Sequence, residues 1–270
     1  MARLALAQIT SSECWEENLK KAEQWMKRAS EQGADMIVFP EYFMMYYPAK
    51  RVNYHKGAQT LYGPFVSEMK RLAEKYHIWT VFSMNEDSIQ EGKSYNTTVI
   101  LDDHAVQKAI YRKNHLFDAY TWQESTDTIK GEKMFLPLKT PIGVLGISVC
   151  YDLRFPETAR IAALYGAEVM IYPSAWVKGE GKFLAWETLL RARAIENEMF
   201  VFGCCHFSEE HYMGQSLGFG PLGEKILEGK EREELLFCEF DSEKIKKVRH
   251  ENPVFKNRRT DLYSVFLKER

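Results

Sequence analysis

The sequence contains no long apolar run. In 270 residues, no stretch approaches the roughly 20 apolar residues that a membrane-spanning helix requires. It also has no excess of one charge, since the formal net charge is −2 and both signs are mixed along the chain. Without a basic stripe, nothing indicates a nucleic-acid-binding protein. We therefore expect a globular protein that acts on a small molecule and has no membrane or nucleic-acid partner.

Cysteine is sparse, and its pattern does not suggest disulfides. The chain has five cysteines, an odd number, and apart from the neighbours Cys204 and Cys205 they are widely spaced. The first residues, MARLALAQI, carry one Arg and a short apolar run without a small-residue cleavage site, so we expect no secretory signal. From the odd number of cysteines and the lack of a secretory signal, we expect a cytoplasmic protein whose thiols are reduced. Cys204 and Cys205 lie in a predicted strand, where their side chains should point to opposite faces and pack in the core.

Motifs for metals and nucleotide cofactors are also missing. The seven histidines form no H-x-x-x-H pair, and no C-x-x-C or G-x-x-x-x-G-K-[ST] motif occurs. We therefore expect neither a metal nor a cofactor. His115 and His206 are interpreted as structural histidines, and Lys178, Lys182 and the KIKKVR run as solvated faces.

The apolar periodicity predicts a mixed α/β chain with many strands and one domain over residues 1–270. Helical spacing marks segments starting near Trp15, Phe65, Pro156, Lys182 and Asp241. The predicted strands are RLALAQI, MIVFP, IWTVFSM, YNTTVIL, AVQKAIYRK, IGVLGISVC, EVMIYP, MFVFGCCHF, SLGFGP, EKILEG and ELLFCEF. Several are apolar on successive residues, which indicates burial on both faces.

Three reactive side chains each follow a predicted strand. Glu41 comes after MIVFP, Lys113 ends AVQKAIYRK, and Cys150 ends IGVLGISVC. Ligands of α/β sheets gather at the carboxyl ends of strands. The pattern therefore predicts a carboxylate, an ammonium and a thiol at one edge of the fold.

The segments around these residues resemble the catalytic motifs of the carbon-nitrogen hydrolase (nitrilase-like) superfamily. The motifs are FPEYF around Glu41, YRKNHLF around Lys113 and CYDLRFPE around Cys150. GAD, WETLLRARAIENEMFV and MGQSLGFGPLG extend the resemblance over nearly the whole chain. It implies a four-layer α-β-β-α sandwich with two mixed β-sheets, and a symmetric homodimer or a larger assembly.

The resemblance also implies roles for these side chains. Cys150 would be the nucleophile, Glu41 the general base and acid, and Lys113 a donor to the oxyanion, with the backbone N–H of Tyr151 as a second donor. A helix starting near Pro156 would bring the positive end of its dipole near Cys150. Glu124, in WQES, matches a supporting glutamate of many family members, although the loop before it looks shorter than in several relatives.

The substrate pocket is predicted less specifically. Tyr47 and Trp176 correspond to aromatic residues that shape the acyl pocket in the family. Arg154 and Asp152 are interpreted as forming ion pairs with each other, or with Arg191 or Arg193, that fix the nucleophile turn. The alternative is that Arg154 binds a substrate carboxylate. Met44-Met45-Tyr46 and the bulky Trp176 depart from the family pattern, which leaves the substrate open.

The closest branch contains omega-amidases and deaminated-glutathione amidases, on the motifs CYDLRFPE, HLF, WQES and RAIEN. We therefore predict hydrolysis of a small carboxamide to the acid and ammonia through a cysteine thioester. The first alternative is an N-carbamoyl amino acid or β-ureido acid hydrolase with the same triad. A nitrilase is disfavoured, because Tyr151-Asp152 stands where that branch has Trp-Glu. The non-enzyme alternative is a catalytically silent binding protein, against which the intact triad argues.

Overall fold

A computed structural model describes residues 1–46, 54–120 and 122–267. Its α-helices are α1 (Trp15–Glu31), α2 (Pro64–Tyr76), α3 (Pro156–Leu164), α4 (Lys182–Asn197) and α5 (Glu243–Glu251). Its strands are β1 (Ala2–Gln8), β2 (Met36–Val38), β3 (Trp79–Asp87), β4 (Ser94–Leu101), β5 (Gln107–Arg112), β6 (Asp118–Ala119), β7 (Trp122–Gln123), β8 (Thr128–Ile129), β9 (Leu138–Thr140), β10 (Gly143–Ile147), β11 (Val169–Ser174), β12 (Phe200–Cys205), β13 (Leu217–Phe219), β14 (Lys225–Glu228) and β15 (Glu234–Phe240). Among these helices, none is long and apolar enough to cross a bilayer.

The strands form two large mixed sheets and a small hairpin. The first sheet has the order β15-β1-β2-β3-β4-β5, with β8 beside β4. Strands β1, β2 and β3 run parallel, while β15, β4 and β5 pair antiparallel to their neighbours. The second sheet has the order β14-β13-β12-β11-β10-β9, with a parallel centre of β10, β11 and β12. Strands β6 and β7 form the hairpin.

Successive side chains of the central strands point to opposite faces of their sheet, and together they fill three apolar layers. In β1, Leu4 and Leu6 face the layer between the two sheets, while Ala5 and Ala7 pack with α1 and α2. In the second sheet, β12 sends Cys204 into the same central layer and Cys205 towards α3 and α4. Because successive side chains of a strand point to opposite faces, continuous apolar runs serve two layers. The result is the predicted four-layer α-β-β-α sandwich, and both cysteines are buried as expected.

The helix ends follow local sequence rules. Helix α1 carries Glu16 and Glu17 in its first turn, where negative charges interact favourably with the positive end of the helix dipole. Helix α2 starts with Pro64, whose missing N–H is no loss at a helix start, and ends where His77 takes a left-handed conformation.

The predicted long elements agree with the structure to within a few residues at their ends. The exception is the polar stretch between Lys113 and β10, for which the sequence indicated no element. There the structure has the two-residue strands β6, β7 and β8, the short β9, and a 3₁₀ turn at Glu124–Thr126. Two or three residues are too few to show a periodicity. The single domain over residues 1–270 stays a prediction.

Candidate active site

A cavity of about 430 Å³ opens at the ends of strands from both sheets. Glu41, Lys113, Glu124 and Cys150 line it, together with the pocket residues Tyr42, Tyr46, Phe117, Trp122, Tyr151, Arg154, Ala175, Trp176, Lys178, Lys182 and Tyr212. The predicted triad therefore comes together in space. The first sheet contributes Glu41 and Lys113, and the second sheet contributes Cys150.

Glu41 lies three residues beyond β2 and is 2% exposed. Its Oε1 accepts hydrogen bonds from Lys113 Nζ and Asn96 Nδ2, each at 2.8 Å. Its Oε2 accepts the backbone N–H of Ala175 at 2.9 Å. Since both oxygens have fixed donors from separate strands, the carboxylate is held in one orientation.

Lys113 follows β5 directly and lies between two carboxylates. Its Nζ donates to Glu41 Oε1 and to Glu124 Oε2, both at 2.8 Å. Burial by itself would lower the pKa of Lys113, but the charges of Glu124 and Glu41 outweigh it and raise the pKa well above its usual range. The side chain is therefore a fixed cation in the cavity.

Glu124 begins the 3₁₀ turn that follows β7. In addition to Lys113, its carboxylate accepts the hydroxyl of Tyr42 at 2.7 Å and the backbone N–H of Phe117 at 2.6 Å. The hairpin of β6 and β7 folds the segment before it back, so that the backbone N–H of Glu124 donates to the carbonyl of Phe117 at 3.2 Å. Glu124 lies where the motif match predicts.

Cys150 is partly buried and begins a 3₁₀ turn over Cys150–Arg154, with a left-handed backbone at φ 45°. A non-glycine residue pays strain energy in that conformation, and strained residues cluster at functional sites. The desolvated surroundings of the thiol raise its pKa well above the usual range, and the charge of Glu41 raises it further, while Lys113 and the N–H of Ala175 lower it. The thiol is therefore in its protonated form at neutral pH.

The expectation that a helix dipole stabilises the thiolate stays a prediction. Helix α3 begins only at Pro156, and the 3₁₀ turn separates it from Cys150.

Comparisons with known proteins agree with this geometry. The family described as Carbon-nitrogen hydrolase matches residues 3–250. The chain belongs to this family. It is 31% identical to the human omega-amidase NIT2, with 99% of this chain and 98% of that protein covered. It is 32% identical to the human deaminated glutathione amidase, over 96% of this chain and 83% of that protein. The chain is thus a hydrolase of carbon-nitrogen bonds other than peptide bonds.

Solved structures give the same fold. The Caenorhabditis elegans fusion protein NitFhit superposes with a TM-score of 0.91 at 32% identity, covering 100% of this chain and 68% of that one. In sequence, this hydrolase spans 63% of the length of NitFhit. A glutamate-to-glutamine mutant of the amidase from Nesterenkonia sp. AN1 has a TM-score of 0.80 at 27% identity, covering 97% of this chain and 95% of that one. That mutant carries the acetamide moiety of fluoroacetamide at its active-site cysteine.

Asp152 does not pair with the arginines that the sequence analysis named as its partners. Asp152 accepts the hydroxyl of Tyr111 at 2.8 Å, the backbone N–H of Val149 at 2.9 Å, and contacts His115 Nδ1 at 2.6 Å. Arg191 and Arg193 pair with glutamates of their own helix instead. Asp152 therefore ties the nucleophile turn to β5 and the residues after it, which agrees with a structural role but changes its partners.

The remaining predicted pocket residues are placed as follows. Arg154 lines the cavity with its guanidinium 5.2 Å from the ring centroid of Trp176. Trp176 is held by a 3.0 Å hydrogen bond from its indole N–H to the carbonyl of Lys182. Tyr151 lies directly after Cys150 and packs edge-on against Phe117. Tyr47 lies outside the described residues.

Sequence reasoning missed several residues of the site. Lys178 and Lys182 were interpreted as solvated, but both line the cavity. Asn96, which holds Glu41, lies in β4 next to Thr97, in a polar part of that strand where nothing in the sequence marks it. Across the residues that the structure describes, no group of three or more His, Cys, Asp or Glu side chains is arranged to hold a metal ion.

Proposed function

We propose that this hydrolase cleaves a small carboxamide to the acid and ammonia, with Cys150 as nucleophile. The observation that carries the proposal is the convergence of a protonated thiol, a carboxylate and an ammonium in one cavity. The covalent adduct at the active-site cysteine of the Nesterenkonia amidase supports a thiol nucleophile. The two human relatives named as amidases support the choice of an amide.

In the first step, Glu41 takes the proton of the Cys150 thiol as Sγ attacks the carbonyl carbon of the amide. The carbonyl oxygen becomes negative, and Lys113 Nζ and the backbone N–H of Tyr151 donate to it. Such donors are already oriented before the reaction, so they stabilise the developing charge without further rearrangement. Because the pKa of the thiol is raised, the base is necessary.

In the second step, the carbon-nitrogen bond breaks and the proton held by Glu41 passes to the departing nitrogen, which leaves as ammonia. A thioester remains on Cys150. Glu41 then takes a proton from a water molecule that attacks the thioester carbonyl, and the proton returns to the sulfur as the acid departs. The sum is amide plus water to acid plus ammonia.

Glu124 supports these steps by positioning Lys113. It offers two oxygens to the ammonium, and Tyr42 and the backbone of Phe117 hold those oxygens in place. With a carboxylate on either side, the ammonium keeps its charge and its direction throughout the cycle.

The cations of the cavity favour an amide whose other end is a carboxylate. Arg154 and Lys182 contact aromatic rings, and Lys178 donates to the backbone carbonyl of Glu209. Among the described residues none of these three pairs with a carboxylate, although Glu210 also lines the cavity with an 83% exposed side chain. An ω-amide of a dicarboxylic acid supplies the missing anion, and a fork-shaped guanidinium suits it.

The alternatives are separated by one set of assays. Ammonia release is measured with ω-amides of dicarboxylic acids, neutral amides of equal length, N-carbamoyl amino acids and nitriles. We expect the ω-amides to have the highest kcat/KM and Cys150→Ala to abolish their turnover. Preference for the carbamoyl compounds, with release of carbon dioxide, would favour the β-ureido acid reaction. Unchanged turnover in Cys150→Ala would exclude the nucleophile proposed here.

Arg154→Lys tests the carboxylate contact separately. If the guanidinium binds the substrate carboxylate, KM for the ω-amide rises while kcat changes little, and KM for a neutral amide stays the same. An equal loss with both substrates would instead indicate that Arg154 supports the nucleophile turn.

We also propose that the protein forms a homodimer through α4. Ile195 of α4 is 49% exposed and packs against Gly223, next to the 63% exposed Leu222. Apolar side chains grouped in this way on a surface are typical of an interface. Sedimentation measurements should give a dimer for the wild type and a monomer for Ile195→Glu combined with Leu222→Glu; a monomeric wild type would refute the proposal.

A further inference from the structure

His206 lies beneath the active site without touching the cavity. It follows β12 directly and is 1% exposed. Its Nε2 lies 2.5 Å from the carbonyl oxygen of Glu41, and its Nδ1 lies 2.9 Å from the carbonyl oxygen of Ile9. The ring packs against Tyr46 and Tyr212, with centroid distances of 5.4 and 5.8 Å.

The two carbonyl contacts cannot be equal. Burial lowers the pKa of His206 to about 4, so at neutral pH the ring is uncharged and carries one proton. The carbonyl of Ile9 already accepts the backbone N–H of Phe207 at 3.2 Å. The contact with Glu41 is the shorter of the two. The proton is therefore best placed on Nε2, where it is donated to the carbonyl of Glu41.

This carbonyl belongs to a strained part of the chain. It is joined to Tyr42, whose backbone is left-handed at φ 55° and whose hydroxyl donates to Glu124. The peptide between Glu41 and Tyr42 thus connects the carboxylate that contacts Lys113 to the hydroxyl that orients Glu124. A left-handed conformation at a tyrosine persists only if its surroundings hold it.

His206 also connects the two sheets. Glu41 follows β2 of the first sheet, and His206 follows β12 of the second sheet. The segment after His206 includes Tyr212, which lines the cavity. Cys150 comes from β10 of that second sheet. A hydrogen bond from His206 to Glu41 therefore fixes the first sheet's carboxylate relative to the sheet that carries the thiol.

We propose that His206 is a positioning residue that orients the general base, by donating from Nε2 to the main-chain carbonyl of Glu41. This inference rests on the catalytic role proposed above for Glu41. His206 contacts neither substrate nor thiol, so it acts only through the backbone of the base. A misplaced base slows proton transfer and leaves substrate binding unchanged.

Substitution of His206 by glutamine or by asparagine tests the two ring nitrogens separately. The amide nitrogen of glutamine can occupy the place of Nε2, and that of asparagine the place of Nδ1. His206→Gln therefore keeps a donor for the carbonyl of Glu41, whereas His206→Asn keeps one only for Ile9. Both variants put a neutral, polar side chain in the same buried position, so each is the control for the other.

We expect His206→Asn to lower kcat about tenfold, the effect of losing one oriented hydrogen bond, with KM unchanged. The rate at which iodoacetamide alkylates Cys150 should fall with kcat. His206→Gln should retain kcat within about threefold of the wild type. Equal losses in both variants, equal retention, or a rise in KM with constant kcat would each overturn the positioning role.

A measurement on the wild type does not depend on how the variants fold. With ¹⁵N-labelled histidine, the nitrogen shifts of His206 should show a protonated Nε2 and an unprotonated Nδ1; the opposite tautomer would overturn the proposal. Cys150→Ala and Glu41→Gln are assayed beside these variants. If these two abolish turnover while His206→Asn does not, this inference fails and the proposed function stands.

Discussion

Lys113 and the two carboxylates beside it are almost completely withdrawn from water. The side chains of Lys113, Glu41 and Glu124 are 2%, 2% and 4% exposed. Buried charges are tolerated only when they are paired and hydrogen-bonded. Each of these carboxylates also has neutral donors, from Asn96 and Ala175 on one side and from Tyr42 and Phe117 on the other. Removing the ammonium therefore leaves two like charges without their common partner.

Lys113→Met should destabilise the protein by about 3–5 kcal/mol at pH 8, measured by urea unfolding. Adding Glu124→Gln should restore part of the stability, since it removes one unpaired charge. Lys246→Met, at a 67% exposed side chain, serves as control and should cost less than about 0.5 kcal/mol. A Lys113 variant as stable as this control would contradict the account of the buried charges.

The pKa of His206 predicts a pH dependence of stability. In the folded protein the pKa is lowered from 6.5 to about 4, mainly by burial. The carbonyls of Ile9 and Glu41 raise it, while Lys21 lowers it and Glu233 raises it. Because the unfolded chain binds the proton more readily, His206 contributes nothing above pH 6.5 and destabilises the fold as the pH falls from 6.5 towards 4.

Between pH 7 and pH 4.5, the wild type should therefore lose about 2 kcal/mol more of its unfolding free energy than His206→Gln, which has no titrating group there. Urea unfolding of both proteins at the two pH values gives this difference. If both proteins lose the same amount, His206 is not buried as a neutral ring.

At the scale of elements, the strand ends are what the sequence predicts best. Glu41 and Cys150 follow strands with apolar runs, because β2 and most of β10 are buried on both faces and stand out in the sequence. Lys113 follows β5, which mixes polar and apolar residues and is mostly half-buried. The same reasoning does not predict Asn96, since its position opposite Glu41 depends on the pairing of β3 and β4 rather than on its own segment. Lys178 and Lys182 were misjudged because nothing local shows that their segment folds over the cavity.

The contact between α4 and β12 leads to a prediction about the cavity wall. A Cβ atom at Gly203 of β12 would come within 2.3 Å of the Trp186 ring and 2.8 Å of Leu190. Trp186 is held by a 3.0 Å hydrogen bond from its indole N–H to the carbonyl of Gln215, and it packs on Trp176 with a centroid distance of 5.1 Å. The helix therefore cannot accommodate a methyl group without shifting.

Gly203→Ala should lower the unfolding free energy by about 1–3 kcal/mol, the usual cost of overpacking. Since Trp176 lies between Trp186 and Arg154, the same substitution should raise KM for an anionic amide. Urea unfolding and steady-state kinetics on one preparation measure both effects. An unchanged unfolding midpoint would show that the helix packs less closely on this strand than described.

At the scale of the whole molecule, the four layers follow from the resemblance to the family and from the unalternating strands. The order of strands in each sheet does not, because it depends on contacts between segments far apart in sequence, such as β1 beside β15. The charged side chains of the site also depend on this assembly. Glu41 and Lys113 are 72 residues apart, and they meet only once the first sheet has formed.

Acid quenching followed by mass spectrometry tests directly whether Cys150 forms a thioester during turnover. The wild type is mixed with an excess of an ω-amide, quenched within the first turnovers, digested and analysed. We expect the peptide containing Cys150 to gain the mass of the acyl group, and hydroxylamine to remove it. No adduct should form on Cys150→Ala, nor on Cys14 in either protein. Full turnover by Cys150→Ala, or an acyl group on another residue, would contradict the mechanism.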